Sequence, residues 1–196
     1  MRLYYVRHGL TDWNIAGRLQ GHRDTLINQT GRAQAARCGE ILRDLLAREG
    51  RAAAQLNYVS SPLSRARETM EIMRAALGIP PGGYAVEARL TEISFGEWEG
   101  LTYAEVMARD AHIVARRETD KWGFLPPGGE NYRQVAERVG AWYATLARDT
   151  VVSAHGGTGR ALIACLGVAP PEEAVHEPID QGVVYVFENA SLARHA

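Results

Sequence analysis

The chain predicts an α/β fold, a three-layer α/β/α sandwich whose central sheet is mostly parallel, with helices on both faces. Three observations predict it. Short β-branched and aromatic runs alternate with longer stretches of helical periodicity, the pattern that lays crossover helices on a sheet. Two of the short runs, residues 2–6 (RLYYV) and 150–154 (TVVSA), have the look of strands buried on both faces. Both lead into a histidine followed by glycine, in Arg7-His8-Gly9 and in His155-Gly156-Gly157.

The first run is rich in β-formers and too short for a helix of its own. A polar loop follows. Residues 30–49 then form a helix, with Cys38, Ile41, Leu42, Leu45 and Leu46 at helical spacing and Gly50 as a stop. A second strand over 56–60 runs into Pro62, which is placed in a first helical turn. That helix passes through Leu77 and ends before Pro80 and Pro81, and a short strand lies near 84–86. Residues 101–121 read as a weakly amphipathic helix, and 122–130 (WGFLPPGGE) as a loop. A long helix over 130–148 turns Val135, Val139, Trp142, Tyr143 and Leu146 to one face, and a last helix over 159–166 leads to a terminal strand at 183–187.

At 196 residues and 46% hydrophobic, with no linker and no repeat, the chain buries a full core as one domain over 1–196. A net charge of −1 argues against nucleic acid or an anionic membrane as partner, since both need a strong basic excess. Two cysteines, Cys38 and Cys165, are too few for a disulfide scaffold and sit in apolar stretches, so both are expected as core thiols in a reducing cytoplasm. A cleaved leader would remove the eighth residue, a candidate site histidine, and the longest apolar run, 161–169, is too short to span a bilayer. A soluble cytoplasmic chain is expected.

In an open α/β sheet, ligands bind beyond the carboxyl ends of the strands, where His8 and His155 fall. The second strand opens into residues 61–69 (SPLSRARET), which set Arg65 near a helix N-terminus that favours anions. Beyond the third strand, residues 89–100 carry Glu92, Glu97 and Glu99 among apolar neighbours, a setting for an acid catalyst. The other histidines, His22, His112, His176 and His195, show no metal-ligand spacing, and serine-nucleophile and nucleotide-loop signatures are absent. Covalent catalysis at a histidine is what these residues leave.

With these motifs the chain resembles the histidine phosphatase superfamily, which contains cofactor-dependent phosphoglycerate mutases and fructose-2,6-bisphosphatase. Arg7, His8, Gly9, Thr11, Trp13 and Asn14 fit its opening motif, continued by Arg18, Gln20 and Gly21. Residues 61–69, 90–100, 126–131 (PPGGEN) and 155–162 (HGGTGRAL) fit the four that follow. The resemblance implies His8 as nucleophile, Arg7, Arg65 and His155 as the phosphate pocket, Glu92 as proton donor, and Asn14, Gln20, Gly21 and Gly156 as further substrate contacts. It implies no metal and no cofactor. Leu10, where the family commonly has glutamate or glutamine, and Asn131, where serine is usual, depart from the pattern and bear on substrate fit.

The activity implied is hydrolysis of a small phosphorylated metabolite through a phosphohistidine, by a monomer or homodimer. Only 25 residues separate Gly100 from Pro126, and Arg109, Arg116, Arg117 and Lys121 among them read as a solvated face rather than the long basic insertion of resembling mutases. Hydrolysis is therefore expected over mutase activity, and a noncatalytic phospholigand-binding relative is the alternative from another class. Size and compact middle segment look similar to broad-specificity phosphomonoesterases and α-ribazole phosphatases, and Tyr103, Trp122 and Phe124 are candidates to line a leaving-group pocket or to pack the core.

Overall fold

Two adjacent parallel strands set the whole arrangement, because their register brings the two ends of the chain to one level. The computed structural model describes residues 1–196. In chain order its elements are β1 (Leu3–Arg7), α1 (Asp12–Ile15), α2 (Gln29–Arg48), β2 (Asn57–Ser60), α3 (Ser64–Ala76), β3 (Ala85–Val86), α4 (Tyr103–Thr119), α5 (Tyr132–Tyr143), β4 (Thr150–Ala154), α6 (Gly156–Cys165), α7 (Pro171–Ala174), β5 (Val184–Glu188) and β6 (Ser191–His195). The strands lie in the order β3-β2-β4-β1-β5-β6. The first four run parallel, and β5 and β6 run antiparallel at one edge. A mostly parallel α/β sheet is thus what the chain forms.

The period-two alternation of β1 divides the core. Leu3 and Tyr5 face one side with Val152 and Ala154, packed by Val135, Val139 and Trp142 of α5 and Ala161 and Leu162 of α6. Tyr4 and Val6 face the other with Val151, against Cys38 and Leu42 of α2 and Met70 and Met73 of α3. A smaller cluster of Trp98, Val106, Val114 and Phe124 lies under α4, which kinks at Asp110. No helix is long and apolar enough to cross a membrane.

Several expectations are corrected. Pro62 precedes α3 rather than sitting in its first turn, and Leu63 is the N-cap. The helix expected over 130–148 ends at Tyr143, where Thr145 and Leu146 fold back onto the carbonyls of Trp142 and Tyr143. A threonine hydroxyl that bonds a helix carbonyl competes with continued helix. The helix expected at 159–166 begins three residues earlier at Gly156, behind two glycines whose poor helix propensity concealed it, and the short α7 follows it. After β5, Asn189 and Ala190 turn the chain at φ 50° and 56°, so β6 completes a hairpin that carries no Asn-Gly signal. Cys38 is buried as expected, but Cys165 is exposed.

Candidate active site

The register of β1 on β4 pairs Arg7 with Ala154, so the next residues, His8 and His155, leave the sheet side by side. The His8 amide donates to the Ala154 carbonyl at 2.9 Å, and the two imidazole centroids lie 5.2 Å apart. Both side chains are buried, as is the Tyr5 hydroxyl that accepts from the His155 amide and donates to its carbonyl. The loop after His8 is pressed against α2. A Cβ at Gly9 would stand 2.3 Å from the Gly31 carbonyl oxygen, so no side chain fits there.

The hydrogen bonds fix both tautomers. His8 Nδ1 lies 2.8 Å from the Gly9 carbonyl, which can only accept, so Nδ1 carries the proton and Nε2 holds the lone pair. His155 Nε2 lies 2.7 Å from Ser61 Oγ, which accepts from the Leu63 amide and, fully buried with the ring as the one acceptor beside it, donates to Nε2. His155 Nδ1 is left bearing a proton, buried and without a partner in the protein. Burial, then the charges of Arg65 and Arg7, pushes the His8 imidazolium well below its usual range, and burial, Arg65, His8 and Arg7 do the same for His155. The neutral form of both rings is the one the site holds at neutral pH.

Two arginines are presented in the same way. Arg65, in the first turn of α3, donates Nη1 to the Arg23 carbonyl at 2.7 Å and Nη2 to the Gly21 carbonyl at 2.8 Å. Arg7, at the end of β1, donates Nη1 to the Ile179 carbonyl at 2.9 Å. Each keeps a buried Nε–H with no partner in the protein. Burial lowers the pKa of both guanidiniums, yet an arginine so placed stays charged. Glu68, which could have paired with Arg65, is bound to Arg32. Three buried donors, Arg7 Nε, Arg65 Nε and His155 Nδ1, therefore stand unsatisfied on the ring beside His8 and on the two arginines whose charges act on it, and each would cost about 1–3 kcal/mol if nothing met it.

The remaining predicted contacts divide. Gly156 opens α6 beside Arg7, a Cβ there falling 3.7 Å from Arg7 Nε. Asn14 caps α1 through Thr11, and its Oδ1 also accepts from Gln181 Nε2 at 3.0 Å. Gly21 acts on Arg65 through its carbonyl, and the Gln20 carboxamide oxygen is taken by Thr25 Oγ1 at 2.6 Å. The structure thus makes Gln20 and Gly21 parts of the strap that holds Arg65.

Glu92 lies against the N-terminus of α6. Its carboxylate accepts from the amides of Ile93 at 3.0 Å and of Gly157 and Thr158 at 3.2 Å. Gly157 permits this approach, since a Cβ there would sit 2.6 Å from Glu92 Oε1. Glu99 is committed elsewhere, accepting from the His22 amide, Ser94 Oγ and the Phe95 amide, and Glu97 is exposed. Asn131 caps α5 in a capping box with Gln134, a task serine also performs, so its departure from the family pattern is structural. Leu10 contributes backbone, its amide donating to Gln34 Oε1 and its carbonyl accepting from the Asn28 amide.

Trp122 stacks on Tyr132, Phe124 stacks on Trp98, and the Tyr103 hydroxyl bonds Glu118, so these aromatics build the segment around α4. Lys121 is not on a solvated face. Burial, with Arg117 and Arg160 nearby, lowers its ammonium to about 8. Sequence reasoning missed His22, Ser61, Arg138, Arg160 and Gln181. Ser61 and Arg160 lay inside the motifs at 61–69 and 155–162, but His22, Arg138 and Gln181 act through contacts between segments remote in sequence.

A parallel α/β sheet with a cationic, histidine-centred anion pocket beyond its strand ends defines a class of phosphate-handling proteins. The sequence pattern of the histidine phosphatase superfamily, branch 1, matches residues 3–191, and the chain belongs to that family. It is 35% identical over 179 residues to glucosyl-3-phosphoglycerate phosphatase of Mycobacterium tuberculosis, covering 84% of this chain and 74% of that one. It is 30% identical to a 2,3-bisphosphoglycerate-dependent phosphoglycerate mutase of Gloeobacter violaceus, over 95% of this chain and 85% of that one. The crystal structure of the alpha-ribazole phosphatase of Shigella flexneri superposes with a TM-score of 0.82 at 26% identity, covering 100% of this chain and 95% of that one.

Proposed function

We propose that the protein is a phosphomonoesterase that hydrolyses a small phosphorylated metabolite through a phosphohistidine on His8. One observation carries this. Arg7 Nε, Arg65 Nε and His155 Nδ1 are buried donors without partners, grouped about an imidazole whose Nε2 lone pair is presented by its bond to Gly9. A phosphoryl group supplies three nonbridging oxygens for such donors and a phosphorus for such a nucleophile. A binding protein would need the donors but not the lone pair.

In the first step His8 Nε2 forms a bond to phosphorus as the ester P–O bond breaks, while Arg7, Arg65 and His155 hold the nonbridging oxygens. Glu92 gives its proton to the departing alcohol oxygen. In the second step water attacks the phosphorus, the N–P bond breaks to restore neutral His8, and Glu92 takes the proton from water. The sum is ester plus water to alcohol plus phosphate, with no metal needed for balance. The chain's relatives that are named phosphatases support this chemistry, and the mutase among its relatives defines the competing outcome.

The test is phosphorus NMR of the protein with a panel of phosphomonoesters, including 3-phosphoglycerate with trace 2,3-bisphosphoglycerate. Inorganic phosphate released by the protein and absent with His8→Ala is expected. Conversion to 2-phosphoglycerate without release would make it a mutase, and no turnover on any ester would overturn the catalytic role.

A further inference from the structure

The fourth motif, residues 126–131, has no part in the chemistry above, yet its Glu130 sits at the centre of a network aimed at Glu92. Arg138 of α5 forks onto Glu130, with Nε to Oε1 and Nη2 to Oε2 both at 3.1 Å. The same guanidinium donates Nη1 to the Arg89 carbonyl at 2.6 Å and Nη2 to the Glu92 carbonyl at 3.1 Å. From the opposite side, His22 Nε2 lies 2.9 Å from that Glu92 carbonyl and 3.6 Å from Glu130 Oε2. The carbonyl only accepts, so His22 Nε2 carries a proton there. Glu130 further exchanges bonds with Ser94, its Oε2 accepting from the Ser94 amide at 3.0 Å and its own amide donating to the Ser94 carbonyl at 2.9 Å.

We infer that Glu130, acting through Arg138 and His22, is a positioning residue that sets where the Glu92 carboxyl meets the leaving oxygen. The inference rests on Glu92 being the acid of the proposed reaction. Its physical basis is the geometry of the loop over 91–94. The Glu92 side chain is fixed by the start of α6, its carbonyl by Arg138 and His22, and residue 94 by Glu130, so the peptide behind the acid is held at three points. Both donors to that carbonyl, Arg138 and His22, also face the Glu130 carboxylate, which therefore ties their positions to each other. Burial pushes the Glu130 carboxyl up, but the His22 ring facing it and the hydrogen bonds and charge of Arg138 outweigh this and hold it at about 2. The Glu130 carboxylate facing the ring raises the His22 imidazolium in turn.

Displacing an acid by a fraction of an ångström slows the step that needs its proton and spares one that does not. Glu130→Gln is therefore expected to lower kcat on a simple alkyl phosphate by about 10- to 100-fold, but on p-nitrophenyl phosphate by no more than about threefold, with KM little changed. Arg138→Met should behave alike and Arg138→Lys should recover part of the loss. The double variant Glu92→Gln/Glu130→Gln should fall no lower than Glu92→Gln alone. Equal losses on both esters, or additive losses in the double variant, would overturn the inference. If Glu92→Gln itself shows no leaving-group dependence, the acid assignment falls and this inference with it; dependence for Glu92→Gln but none for Glu130→Gln overturns this inference alone. Should Glu130→Gln not fold, His22→Gln, at a half-exposed position, carries the same comparison.

Discussion

Gly157→Ala tests the placement of Glu92 with a single methyl group. The new Cβ would lie 2.6 Å from Glu92 Oε1 and 2.6 Å from Ile93 Cγ2, about 0.8 Å short of ordinary contact with each. Backbone strain is no obstacle, since Gly157 is helical, and alanine favours a helix over glycine by about 0.5–1 kcal/mol. Overpacking costs about 1–3 kcal/mol. The net is a loss of between about 0 and 2.5 kcal/mol, or up to about 10 °C in Tm for a chain of this size. The Glu92 carboxylate, bonded to three amides, must leave at least two of them to make room. A displacement near 1 Å at a catalytic group costs up to about 100-fold. The assay is kcat on an alkyl phosphate beside p-nitrophenyl phosphate, with Tm measured on the same preparation. A selective loss on the alkyl ester is expected. A variant that melts lower yet hydrolyses the alkyl ester at the full rate would refute the placement of Glu92 as acid.

Other outcomes follow from the same contacts. His8→Ala should abolish turnover and leave the circular dichroism spectrum and the cooperative melt intact, because the ring only borders the core. Orthophosphate at about 100 times its Kd should stabilise the native state by about 2.7 kcal/mol, raising Tm by about 5–10 °C, and Arg65→Met should erase the shift. Ser61→Ala leaves His155 Nε2 buried without its donor at a cost of about 1–3 kcal/mol, and by freeing the tautomer should lower kcat/KM on every ester alike. Stability should fall with acid in two windows. The imidazoles of His8 and His155 are depressed in the native state, so the unfolded chain binds more protons once pH drops below about 6.5. Their contribution is complete above that pH and is lost below it, at up to about 2.7 kcal/mol per pH unit for two protons. The depressed Glu130 carboxyl adds a second loss between its unfolded value, about 4.3, and about 2. His22, raised by Glu130, opposes the first window weakly because it is half exposed. Urea unfolding at pH 7.5 and 5.5 reads the sign, and greater stability at pH 5.5 would contradict it.

The parts of this molecule legible in its sequence are those written in local pattern. Leu3 to Val6 and Val151 to Ala154 announce strands by composition, and a histidine after each marks where a candidate site would lie, because strand ends and ligand positions coincide in a parallel sheet; the two rings do meet there. Arg65 is legible for the same reason, one strand over. What lay beyond reach depends on chain segments that meet only when folded. Nothing near His22 in sequence says that its ring reaches Glu92, 70 positions on, and nothing near Arg138 says that it grips Glu130 and Glu92 together. The α6 start was hidden by its two glycines, which propensity counts against a helix and of which Gly157 is required for the close approach of Glu92. The last strand was hidden because Ala190 occupies a turn conformation that sequence reasoning reserves for glycine or asparagine.

The segment over 20–25 explains why the motifs stand or fall together. Its Gly21 and Arg23 carbonyls hold the Arg65 guanidinium, and Asp24 accepts from the amide and hydroxyl of Ser64 at the start of α3. Between Gly21 and Arg23, His22 donates its amide to Glu99 and its ring to the Glu92 carbonyl. One short strap thus ties Arg65, the proposed phosphate clamp on β2–α3, to Glu92, the proposed proton donor beyond β3. Reaction at phosphorus needs the clamp and the acid at a fixed separation, since one holds the nonbridging oxygens while the other meets the leaving oxygen on the same phosphoryl group. A rigid sheet fixes His8 and His155 through their neighbouring strands, but Arg65 and Glu92 leave it on separate loops, and the strap supplies the distance constraint that the sheet does not. Lengthening it by a glycine after Gly21 should therefore damage catalysis beyond any loss of phosphate affinity. The comparison of kcat with the Kd for orthophosphate separates the two, and a loss confined to affinity would show that the strap serves Arg65 alone.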